Sequence, residues 1–152
     1  MNSKHVHAIE RSVDQAHIWI NELAEEFGTD DHHLAYRILR AVLHTIRDRI
    51  TVEESAQLAA QLPTLVRGVY YEGWRPSATP QRYHDRETFL RRIADEALLD
   101  GPTEASYAAA AAAAVLRRHV SKGELADVLA ILPTEIRLLL EEIEPAGRTR
   151  GA

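Results

Sequence analysis

The sequence predicts an all-α protein, and three observations carry that prediction. No stretch shows the period-two alternation or the β-branched density of a strand. Apolar residues instead recur at spacings of 3, 4 and 7, as in Ala35, Ile38, Leu39, Val42, Leu43, Ile46 and Ile50, which lie on one helical face. Helix start and stop signals punctuate the chain, and the pattern they form is written twice.

A shift of 70 residues aligns the two halves without a gap: "LPTLVR" at 62–67 falls on "LPTEIR" at 132–137, and "TVEE" at 51–54 on "SKGE" at 121–124. The apolar face of 35–50 becomes Ala105, Ala108, Ala109, Ala112, Ala113, Leu116 and Val120, in the same phase. The expected architecture is therefore two tandem, diverged four-helix repeats packed into one bundle-like unit. Residues 1–74 form the first repeat, 75–82 a linker, 83–145 the second repeat and 146–152 a disordered tail.

The elements follow in order. A first helix runs from Ser3 or Ala8 to Phe27, and Gly28-Thr29-Asp30 stops it and starts the next. The second spans Asp31 to Ile50. Thr51 with Glu54 reads as a capping box opening a third helix to Leu62: the hydroxyl accepts an orphan amide and the carboxylate reaches back to the cap. Pro63 ends that helix and opens a fourth, to Gly73. "RPSATPQR" has the prolines and small polar residues of a linker. Ser121 with Glu124, and Pro133, repeat the signals in the second half. The alanines at 108–114 imply a helix approached closely on more than one side, and so a central one, whereas its first-half counterpart keeps one face in water.

Composition bounds the function. A chain of 152 residues with 45% hydrophobic and 27% charged content makes one compact domain or two small halves sharing a core. The absence of cysteine removes disulfides, thiolate nucleophiles and Cys-based metal sites. A net charge of −5 argues against wholesale nucleic-acid or anionic-membrane binding. The N-terminus lacks the apolar region of a secretory signal, and no apolar run approaches a membrane span, so the expected location is cytoplasmic, with no membrane partner.

The segment "AYRILRAVLHTIRDRITVEESAQLAAQLPTLVRGVYYEGW", residues 35–74, closely resembles the bacterial family labelled domain of unknown function 2267. The family signature runs through an "AYRALRAVLHALRDRL"-like helix into "QLPxLxRGxYYEGW". The preceding "WINELAEEFGTDDHHLAYR" and the weaker second half fit as well. The resemblance implies an all-helical prokaryotic protein and brings no activity, cofactor or catalytic residue.

The residues themselves give little chemistry. His5 with His7, and His32 with His33, are not at i, i+3 or i+4, so neither pair shares a helix face as metal ligands would. His44, His84 and His119 stand alone and read as surface or capping residues. Carboxylates such as Glu22, Glu25, Glu26, Asp30 and Asp31 crowd locally, which is the pattern of a solvated face. No nucleophile elbow or phosphate loop occurs. The expectation is a protein that is not an enzyme and carries no cofactor or metal.

Two stripes stand out as binding candidates. Arg67, Tyr71 and Trp74 lie at i, i+4 and i+7, where the second half has Arg137, Glu141 and Glu144. Tyr70 belongs to the apolar phase and to the core. Aromatics with arginine are the side chains enriched at binding hot spots, so this face is the first candidate contact of an interaction or adaptor module, with a protein partner or a second copy. Packing of Tyr71 and Trp74 inside the fold, with Arg67 stacked on a ring, is the competing reading. The alternative site is basic: His33, Arg37, Arg40, His44 and Arg47 step by 4, 3, 4 and 3 along the second helix and would bind phosphate or nucleic acid.

Overall fold

Asp31, Thr51, Asp85 and Ser121 each stand before an apolar-periodic run, and each accepts backbone N–H groups of the helix it opens. The computed structural model describes residues 4–141. Among these, the elements are α1 (His7–Phe27), α2 (His32–Arg49), α3 (Val52–Ala59), α4 (Thr64–Tyr71), a short 3₁₀ turn (Pro76–Ala78), α5 (Arg86–Ala97), α6 (Pro102–His119), α7 (Lys122–Ile131) and α8 (Thr134–Leu140). The protein is all-α. The tail expected at 146–152 lies outside the described residues. No helix among the described residues is long and apolar enough to cross a membrane.

α1, α2, α5 and α6 form the centre, α1 and α5 each packed on two of the others and α2 and α6 on all three, around Trp19, Leu23, Ile38, Val42, Phe89, Ile93, Ala108 and Ala112. α4 covers α1 and α2, α8 covers α5 and α6, and α3 meets α7 on the outside. The alanines of α6 do what their phase implies: Ala105, Ala108, Ala109, Ala112 and Ala113 are buried and let neighbouring backbones approach.

The expected difference between α2 and α6 is reversed. Every residue of α2 from Ala41 to Arg47 is buried, while α6 leaves Tyr107, Ala110 and its last turn, Arg117 to His119, exposed. α2 is therefore the more enclosed helix. Its polar face is covered because long cationic side chains can be buried once their donors are satisfied.

The capping boxes form by half. Thr51 Oγ1 accepts from Glu54 N at 3.1 Å, and Ser121 Oγ from Glu124 N at 3.1 Å. The returning carboxylate bond is replaced at Ser121, whose N–H donates to Gln61 Oε1 at 2.8 Å while Gln61 Nε2 donates to Ser121 Oγ. Glu124 is thereby released from its cap.

The linker is tied down. Gln81 N donates to the Asp48 carbonyl at 2.8 Å and Arg49 Nε to the Tyr83 carbonyl at 2.7 Å. The Arg49 and Arg92 guanidiniums lie 5.8 and 5.1 Å from the Tyr83 ring centroid, within cation–π range.

α1 ends on Gly28 at φ 87°, the left-handed conformation that glycine adopts without penalty. α5 ends the same way on Leu98, at φ 61°, with its side chain 72% exposed. A Cβ in this region costs stability, and an exposed leucine recovers little of it by packing. Leu98→Gly is expected to raise stability by about 1 kcal/mol, read as a higher urea midpoint at unchanged slope.

Candidate functional site

A helix leaves its last carbonyls without intrahelical donors. α4 is short, has no basic residue in its last turn, and ends against the polar face of α2. That face supplies the donors. Arg47 Nη1 donates to the Tyr70 and Glu72 carbonyls, both at 2.7 Å, while its Nε holds Asp48 at 2.8 Å. His44 spans the Val69 carbonyl through Nε2 (2.6 Å) and the Glu96 carboxylate of α5 through Nδ1 (2.7 Å). Arg40 reaches Glu72 at 3.0 Å and Glu96 at 2.7 Å, and Arg37 Nε donates to the Ala97 carbonyl at 3.0 Å.

This arrangement places the basic stripe. Only His33 is exposed, in the first turn of α2; Arg37 and Arg40 are half-buried, His44 and Arg47 buried. Four of the five side chains join helices rather than face water, so the stripe is not an open cationic surface. His44 is not a surface histidine, and the helix end it helps close is that of α4, not its own. It is a buried tie between α2, α4 and α5, and nothing in its spacing distinguishes it from a solvated one. One bond has a counterpart 70 residues on: Arg117 Nη1 donates to the Leu140 carbonyl at 3.0 Å, as Arg47 does to Tyr70.

The aromatic face is also drawn inward. Tyr70 is fully buried, its hydroxyl donating to Ser55 Oγ at 3.1 Å, and burial raises its phenol well above the usual range. Tyr71 packs on the core, edge-on to Tyr70 at 5.5 Å, with the Trp74 ring 5.1 Å away. Trp74 is half-buried. Arg67 takes no part in this stack. Its guanidinium donates to the carbonyls of Ala59, Ala60 and Leu62 and closes the open end of α3. Trp74 lies beyond the end of α4, so the expected common face is broken: Tyr71 and Trp74 come together, and Arg67 turns to α3.

A surface that the sequence reading passed over lies on α1. Ile9, Val13, Ala16, Ile20, Leu23 and Phe27 follow a 4, 3, 4, 3, 4 spacing, the seam of a coiled-coil helix, and Val6 extends it. The seam from Ala16 onward packs on the core, whereas Val6, Ile9 and Val13 are 57%, 63% and 38% exposed. Leu65, 45% exposed, sits beside them, since its N–H donates to Ser12 Oγ. The 3–4 spacing was the available signal.

Two further features bear on chemistry. An apolar cleft of about 240 Å³ between α3, α6, α7 and α8 is lined by Leu58, Leu116, Leu125, Val128 and Leu129, with Arg117, Lys122 and Glu141 the charged residues along it. Separately, the carboxylates of Glu54, Glu124 and Asp127 come together where α3 meets α7, away from that lining. Burial first, then a hydrogen bond with Glu54 and the charges of Glu54 and Asp127, push the Glu124 carboxyl up to about 8. Spacing did not reveal this group because its members come from different halves.

The geometry defines an all-helical protein whose basic and aromatic signature residues serve mainly to lock helix ends. Residues 16–139 match the model of the family described as "Uncharacterized conserved protein (DUF2267)", and the chain belongs to that family. No curated protein matches the chain. The match begins at Ala16, so the exposed part of the α1 seam precedes it.

Arg47 is 4% exposed, and its loss would strand two carbonyls and Asp48. Arg47→Ala is expected to destabilise the fold by about 3 kcal/mol, measured by chemical denaturation.

Proposed function

We propose that the chain is a non-enzymatic interaction module of the bacterial cytoplasm, built from two diverged copies of one four-helix unit, and that it pairs with a second copy of itself through the N-terminal end of α1. The duplication is supported by helix limits: α2 and α6 begin and end 70 residues apart, and α3 and α7, like α4 and α8, begin so. Gly28 and Leu98, and Arg47 and Arg117, hold equivalent places.

The observation that carries the interaction reading is the unfilled half of the α1 seam. Val6, Ile9 and Val13 keep coiled-coil spacing past the point where the core of the molecule ends. A helix seam of this kind is self-complementary across a two-fold axis, which favours a second α1 as occupant. With Leu65 the patch is smaller than the roughly 800 Å² per partner of a stable interface, so the pairing is weak and concentration-dependent.

This reading moves the contact away from Arg67, Tyr71 and Trp74, because Arg67 is committed to α3 and Tyr71 to the core. Anion binding by the α2 stripe has less support, since Arg37, Arg40, His44 and Arg47 already have acceptors within the fold.

Sedimentation equilibrium from low to high micromolar protein tests it. The average mass is expected to rise from the 17.1 kDa monomer toward twice that value, and Ile9→Glu with Val13→Glu to hold it at the monomer. A wild-type chain that stays monomeric throughout the range would remove the proposal.

A further inference from the structure

Glu54 and Glu124 occupy the third position of α3 and α7, and each would ordinarily turn back to its own cap. Glu124 does not, because Gln61 has taken the Ser121 amide. It is instead 7% exposed, and neither its Oε2 nor Oε2 of Glu54, both buried, receives a hydrogen bond from a group outside the cluster. One carboxylate oxygen from each of Glu54, Glu124 and Asp127 lies within 4.8 Å of the others. Among the described residues, no lysine or arginine pairs with any of the three.

Two ionised carboxylates only accept, so Glu54 and Glu124 meet as closely as they do only with a proton or a cation between them. Desolvating such a group without a partner is costly, and the arrangement calls for a positive centre between α3 and α7. Among the described residues no side chain supplies one. Three oxygens from two helices, with Asp127 exposed and able to share a hydrated ion, make a hard-cation donor set. Calcium, at about 2.3–2.6 Å from its ligands, tolerates oxygens separated by up to about 5 Å, whereas magnesium, at about 2.0–2.1 Å, requires a tighter octahedron.

We propose that Glu54, Glu124 and Asp127 form a calcium-type divalent-cation site that fastens α3 to α7 and so one half of the molecule to the other. Water completes the coordination shell on the Asp127 side. With only three protein carboxylates, the affinity belongs to the weak class, about 10⁻⁴ M.

The test is calorimetric titration of chelator-treated full-length protein with calcium chloride, alongside thermal melts. Wild type is expected to bind one ion and melt at higher temperature as calcium rises, with magnesium at least tenfold weaker. Asp127→Asn changes an exposed side chain, leaves the fold intact, and is expected to weaken binding tenfold or more; Glu124→Gln should abolish it. Absence of heat and of any melting shift up to about 10 mM calcium, well above the weak-site range, would overturn the assignment. So would wild-type affinity in both variants.

Discussion

The end of α4 sets the constraint on which the rest of the structure depends. Its last carbonyls point into the molecule, where a backbone acceptor without a donor costs about as much as a lost hydrogen bond. α2 answers with a ladder of basic side chains, His44 to Val69 and Arg47 to Tyr70 and Glu72, and His44 with Arg40 extends to Glu96 of α5. One helix thus holds α4 on one side and α5 on the other. This explains why α2 is buried along nearly its whole second half despite carrying basic residues every third or fourth position. It also explains why "RGVYYEGW" follows the helix it does: Tyr70 fills the core, and just beyond it Arg47 finds the Glu72 carbonyl and Arg40 the Glu72 carboxylate.

Much of the fold was legible because it depends on local signals. Caps at Asp31, Thr51 and Ser121, the stop at Gly28, and apolar phases spaced 3, 4 and 7 apart report on one helix at a time, and their helices formed as expected. The failures concern partners far along the chain. A stripe of arginines facing water and one facing another helix's carbonyls have the same spacing; only the position of α4 separates them. The Ser121 capping box failed at its second bond for a similar reason, since Gln61, 60 residues away, competes for the amide. The carboxylates so released meet across the two halves, which no local pattern could disclose.

The two halves differ where their neighbours differ. Arg117 keeps the helix-end bond of Arg47, while the positions of Arg40 and His44 are alanines in α6. In the same last turn of α6, Arg118 and His119 turn instead to Glu22 and Glu26 of α1, and His119 stacks on Trp19 at 4.8 Å. α1 therefore belongs to both halves, and its first turns alone extend past them.

The central claim is that the basic side chains of α2 act as interhelical ties and not as a surface stripe. A double-mutant cycle between His44 and Glu96, each changed to alanine and followed by urea denaturation, measures it most directly. A tie predicts a coupling energy of about 1–3 kcal/mol, retained at high salt because the pair is largely enclosed. Additive effects, agreeing to within about 0.3 kcal/mol, would contradict the account.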